Sequence, residues 1–81
     1  MSTTTPIKVP NLGAEATGGS ITAWLCAVGD TVAAGQIVAE LETEKATVEL
    51  EAPVAGRIIE ILQPAGAEVP VGETLALIEH G

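Results

Sequence analysis

A chain of 81 residues with a formal net charge of −8 and only three Lys or Arg allows one small domain and lacks the clustered cations that binding nucleic acid or an anionic membrane requires. A domain near this size buries only roughly 60% of its chain surface. With no Phe or Tyr and one Trp, the core must be built from Val, Ile, Leu and Ala. No stretch is long enough to span a bilayer, and the polar start shows no secretory signal. A single cysteine, Cys26, cannot form an internal disulfide; it is expected to be a partly exposed free thiol, compatible with a reducing, bacterial-type cytoplasm.

Residues 1–6 are polar and read as a disordered tail. Ile7-Lys8-Val9 alternates as a short strand closed by Pro10. Residues 11–19 carry Gly13, Gly18 and Gly19 among polar positions and read as a loop. Residues 20–27 form a second strand with Trp24, followed by a Gly29-Asp30 turn, a short Thr31-Val32 strand and an Ala34-Gly35 turn. Ile37, Ala39 and Leu41 then share one face and Glu40 and Glu42 the other. After a short break, Val48 and Leu50 alternate with Glu49 and Glu51. Period-two patterning on both sides of a polar break is a hairpin signal, and without Gly or Asn-Gly an ordinary type I turn is expected, with Glu44 and Lys45 at its exposed tip. Ala52-Pro53 ends the second arm. Residues 57–62, 68–69 and 74–79 supply three more strands, separated by Pro64-Ala65-Gly66 and Pro70-Val71-Gly72 turns. His80, near the chain end, is read as solvated and without a role. No segment shows a helical period, so the fold class is all-β.

The second half repeats the first at a spacing of 37. Gly19-Ser20-Ile21 falls on Gly56-Arg57-Ile58, Gly29, Val32 and Gly35 on Gly66, Val69 and Gly72, and Ala39 and Glu42 on Ala76 and Glu79. Two copies are too few for a solenoid. They imply a quasi-two-fold object whose halves bury each other's apolar faces.

On these residues, together with Trp24-Leu25, Glu42-Thr43-Glu44-Lys45-Ala46 and Ala52-Pro53, the chain resembles the lipoyl domains of 2-oxo-acid dehydrogenase complexes over about residues 7–79. The resemblance implies a flattened barrel-sandwich of two four-stranded antiparallel sheets, with residues 80–81 beginning a linker. It implies that Lys45 carries covalently attached lipoic acid, and that Glu42, Thr43, Glu44 and Ala46 beside it contribute to recognition. The implied partners are a thiamine-diphosphate-dependent decarboxylase, an acyltransferase catalytic domain, a dihydrolipoyl dehydrogenase and a lipoate-attaching enzyme, with the isolated domain monomeric. The pyruvate dehydrogenase complex is placed first, with 2-oxoglutarate, branched-chain and acetoin complexes as alternatives. A biotin carrier is disfavoured, because similar biotinyl domains set the lysine between two methionines and here Glu44 and Ala46 flank it. A glycine-cleavage H protein is disfavoured by its greater length and its helices. An unmodified structural adaptor is the reading from a different class.

The residues themselves offer no catalytic constellation: no Ser-His-acid set, no Cys-His pair, no phosphate-cradling glycine loop and no metal motif. The five glutamates at 40, 42, 44, 49 and 51 lack a recognised cation-ligand spacing and read as a solvated strand face. A carrier or binding module is therefore expected in place of an enzyme.

Overall fold

The structure is a computed structural model that describes residues 3–10, 18–43 and 46–81. Among the described residues eight strands follow in chain order: β1 (Thr3–Lys8), β2 (Gly18–Trp24), β3 (Thr31–Val32), β4 (Ile37–Glu42), β5 (Thr47–Glu51), β6 (Gly56–Ile61), β7 (Glu68–Pro70) and β8 (Thr74–His80). They form two four-stranded sheets, ordered β1-β8-β6-β3 and β5-β4-β2-β7. Every pairing is antiparallel.

The 37-residue repeat reappears in the backbone. Gly29 and Gly66 have φ of 96° and 93°, and Gly35 and Gly72 have 84° and 89°, so both turns of each half use the left-handed region that glycine enters without a Cβ penalty. The N–H of Gly29 donates to the carbonyl of Ile58 at 2.7 Å, and that of Gly66 to Ile21 at 2.6 Å. Each bond ties the turn of one half to a core strand of the other, which is how the halves interlock.

The register breaks repeat as well. β2 skips a residue between Ile21 and Ala23, and β6 does so between Ile58 and Glu60. Val38 is an extra residue in β4 opposite β5, and Leu75 is one in β8 opposite β1. A bulge resets the side-chain parity of a strand. Val38 and Ala39 are consequently both buried, whereas simple alternation placed only Ile37, Ala39 and Leu41 inside; Leu75 and Ala76 repeat the pattern.

Between the halves lies one aliphatic core. Ile21, Val38, Leu41, Ile58, Leu75 and Ile78 are its largest fully enclosed side chains, and no polar or charged residue is buried among the described residues. Trp24 is half-buried against this core and its Nε1–H donates to the carbonyl of Gln63 at 2.8 Å, so it serves packing as expected.

The sequence reading needs three corrections. Residues 3–6 are not a tail: Thr3, Thr4, Thr5 and Pro6 pair with His80, Glu79, Ile78 and Leu77. Their polarity misled because β1 is an edge strand, where exposed threonines satisfy one ladder and Pro costs no interior hydrogen bond. His80 is not merely solvated: it ends β8, half-buried, with Nε2 in hydrogen-bond contact with Thr5 Oγ1. Gly18 and Gly19 belong to β2, where they approach neighbouring backbones too closely for any side chain.

Candidate functional site: the end of the β4–β5 hairpin

β4 and β5 run in register to Glu42 opposite Thr47. Beyond that pair, the N–H of Thr43 donates to the carbonyl of Ala46 at 2.8 Å. The Thr43 hydroxyl donates to the same carbonyl at 3.0 Å and accepts the N–H of Ala46 at 3.2 Å. These bonds bring the ends of the connection together with only Glu44 and Lys45 between them. Glu44, Lys45 and the type I turn expected for them lie outside the described residues. Of the expected recognition residues, the structure places Glu42 and Ala46 exposed and Thr43 half-buried.

The outer face of this sheet is acidic. Glu40 stands opposite Glu49, and Ser20 lies between Glu42 on one side and Glu68 on the other. Like charges directly across a ladder oppose pairing. The fold itself does not require them: the equivalent positions in the other sheet hold Leu77 for Glu40, Pro6 for Glu49, Lys8 for Glu51 and Thr31 for Glu68. In that sheet Glu79, the counterpart of Glu42, has its carboxylate 3.4 Å from Arg57 Nη2, and Arg57 occupies the place of Ser20. This pair is exposed and contributes little to stability.

Beside the hairpin end, Gly18, Gly19, Ser20, Glu42, Thr43, Glu68, Val69 and Pro70 line an open groove of about 590 Å³. β2 contributes Gly18, Gly19 and Ser20 to its lining. A Cβ on Gly18 would stand 2.3 Å from the carbonyl oxygen of Val69, and one on Gly19 would stand 2.6 Å from that of Glu42. Sequence reasoning missed Ser20 and Glu68 here, because only the sheet order brings β7 and β2 alongside β4. The spacing of Gly19 and Gly56 was the available signal that two strands approach their neighbours closely.

Among the described residues no group of three His, Cys, Asp or Glu could hold a metal ion. Cys26 is half-buried and its thiol points at the carbonyl of Val38, with 3.8 Å between sulfur and oxygen. Burial, and secondarily the charge of Asp30, pushes the thiol above its ordinary range. It stays protonated at neutral pH, which is unfavourable for a nucleophile.

Comparison with known proteins places this geometry. A family model described as "Biotin-requiring enzyme", covering biotin- and lipoyl-bearing domains, matches residues 5–78. The chain is 41% identical over 78 residues to the dihydrolipoyllysine-residue succinyltransferase component of a 2-oxoglutarate dehydrogenase complex from Bartonella vinsonii subsp. berkhoffii, covering 96% of this chain and 19% of that protein. It is 45% identical over 74 residues to the dihydrolipoyllysine-residue acetyltransferase component of the pyruvate dehydrogenase complex from Corynebacterium glutamicum, covering 91% and 11%. The chain thus spans a fifth or less of the length of these relatives. Among solved structures, the lipoyl domain of the 2-oxoglutarate dehydrogenase complex from Azotobacter vinelandii superposes with a TM-score of 0.75 at 29% identity, over 94% of this chain and 96% of that one. Urea carboxylase from Kluyveromyces lactis gives 0.79 at 26% identity, over 94% of this chain and 6% of that one. The chain belongs to the biotin- and lipoyl-attachment family, and within it is a lipoyl domain of the kind carried by dihydrolipoyllysine acyltransferase components.

Proposed function

We propose that Lys45 is acylated by lipoic acid and that the domain carries acyl groups and reducing equivalents between the active sites of a 2-oxo-acid dehydrogenase complex. The observation that carries this reading is the hairpin of a lipoyl domain closed by Thr43 and Ala46 with one lysine between them. The residues present fit such a group: the flanking Ala46 is small and exposed, and the adjoining strand ends are polar. When bound, the lipoyl group supplies a dithiolane that takes part in thiol–disulfide and acyl-transfer chemistry. The protein's part is presentation. Amide formation removes the charge of the Lys45 amine, and the paired strands fix where the arm begins. Tethering holds the arm at a high effective concentration near each site it serves.

The partners in this reading are the decarboxylase, acyltransferase, dihydrolipoyl dehydrogenase and lipoate-attaching enzyme of such a complex, in a cytoplasmic setting. In this reading Glu42, Thr43, Glu44 and Ala46 contribute to recognition by the decarboxylase, and of these Glu42 and Ala46 are exposed. The pyruvate-type complex is our first assignment and the 2-oxoglutarate type the second; relatives of both kinds match the chain. The test presents the lipoylated domain to each decarboxylase with its 2-oxo acid and reads the intact mass. We expect one acetyl group gained from the pyruvate enzyme. Preferential gain of a succinyl group would reassign the complex, and no gain from any decarboxylase would overturn the carrier role.

A further inference from the structure

The two sheets repeat each other, so each shows what the other can hold. In one, Arg57 of β6 stands between Glu79 of β8 and Thr31 of β3. Its guanidinium reaches across the ladder to the Glu79 carboxylate, with 3.4 Å between Nη2 and Oε1. In the hairpin sheet the equivalent positions are Ser20 of β2, Glu42 of β4 and Glu68 of β7. The acid is kept at Glu42, a second acid stands at Glu68 in place of threonine, and the arginine is cut back to serine. Residues directly opposite in a ladder share a face, so half-buried Ser20 leaves a gap flanked by two exposed carboxylates. That gap lies in the open groove of about 590 Å³, which all three residues line. Lys8, Arg57 and His80 are the basic side chains of the described residues, and all belong to the other sheet. Two carboxylates are too few to hold a metal ion.

We propose that this groove is a binding site for an arginine side chain of a partner protein, placed over Ser20 as Arg57 is placed between Glu79 and Thr31, with its guanidinium shared by Glu42 and Glu68. The flanking strands lie about 5 Å to either side of β2, within reach of glutamate side chains that converge on one group. A guanidinium carries five donors in a planar fork and meets carboxylates on more than one edge. The groove exceeds the volume of one side chain and leaves room for the residues beside the arginine. The site gives the recognition expected of Glu42 a stated chemistry, and it holds whether or not Lys45 is lipoylated.

The experiment titrates the ¹⁵N-labelled domain at low salt with the blocked peptide acetyl-Gly-Arg-Gly-amide. Its control carries citrulline, which keeps the shape of arginine and lacks the charge. The arginine peptide is expected to give saturable shifts at the amides of Gly18, Gly19, Ser20 and Val69, in the millimolar range and weakened by added salt. The citrulline peptide is expected to bind at least roughly tenfold more weakly, because its hydrogen bonds are not charge-assisted. Glu42→Gln and Glu68→Gln are each expected to weaken the arginine peptide by roughly threefold, the scale of one exposed ion pair. Ser20→Arg restores the arrangement of the other sheet, so it is expected to fold and to show no saturable shift, its own side chain filling the groove. No saturable shift on the folded parent, equal binding of the two peptides, or unchanged binding by both Gln variants overturns the proposal. So does a folded Ser20→Arg domain that binds as the parent does, or shifts centred on Glu49 and Glu51, which would assign the attraction to the acidic face at large. Each of these results leaves the carrier reading intact, because the titration involves no lipoate.

Discussion

Gly56→Val is expected to destabilise the domain severely, lowering its melting temperature by at least about 12 °C. A Cβ at this position would lie 2.4 Å from the carbonyl oxygen of Glu79 and 2.6 Å from Cγ2 of Ile78. Both belong to β8, which is hydrogen-bonded to β1 on one side and β6 on the other and cannot withdraw without breaking a ladder. Overpacking a core ordinarily costs about 1–3 kcal/mol, and displacing a central strand exceeds that range. A domain of this length holds about 4–12 kcal/mol in total. Thermal unfolding should show a loss of at least about 12 °C, which corresponds to about 3 kcal/mol at this size. Gly66→Ala is the control: nothing stands within 4 Å of a Cβ there, so only its φ of 93° opposes the change. That penalty is about 1–2 kcal/mol. If Gly56→Val melts within a few degrees of the parent, the close approach of β6 to β8 is not what holds this end together.

The second large effect is expected at Leu41. Its side chain is fully enclosed on β4, with Ile21 of β2 and Val48 of β5 opposite it in the ladders. The described core contains no Phe or Tyr, and its only aromatic neighbour is Trp24 at the margin. Short aliphatic side chains held on paired backbones have little freedom to refill a void. Leu41→Ala should therefore cost about 2–5 kcal/mol, a large part of the total. Leu25→Ala, at a side chain 54% exposed, should change stability by no more than about 0.5 kcal/mol. Urea unfolding separates the two, with a lower midpoint for Leu41→Ala at an unchanged slope. Equal losses at both positions would contradict the assignment of Leu41 to the core.

How much of this was written legibly in the chain depends on the kind of signal. Alternation around Leu41 and Leu50, together with the Gly29, Gly35, Gly66 and Gly72 turns, announced short antiparallel strands, because period and turn chemistry are local properties. The 37-residue spacing announced the two-fold plan. Val38 and Leu75 were not legible as core residues, since a bulge changes the parity of a strand and leaves no local mark in the sequence. Residues 3–6 looked like a tail because their pairing partner, β8, lies at the opposite end of the chain. At the candidate site, Lys45 and its neighbours stood out through the hairpin pattern and the resemblance, but the two hydrogen bonds between the Thr43 hydroxyl and the main chain of Ala46 depend on side-chain geometry that residue types alone do not specify. Ser20 and Glu68 were missed for a topological reason, as β2 and β7 are far apart in sequence and adjacent in the sheet.

The acidity of the hairpin sheet is a separate matter from its folding. Leu77, Pro6, Lys8 and Thr31 occupy the matching positions of the other sheet, so the same plan folds without those glutamates.

The most direct test of the carrier function is the intact mass of the domain after co-expression with a lipoate-attaching enzyme and lipoate, read beside Lys45→Arg. A gain of one lipoyl group on the parent, mapped to Lys45 by peptide fragmentation, and none on a folded Lys45→Arg domain is the expected result. An unchanged mass on a folded parent, or a lipoyl group that persists in Lys45→Arg, would contradict it.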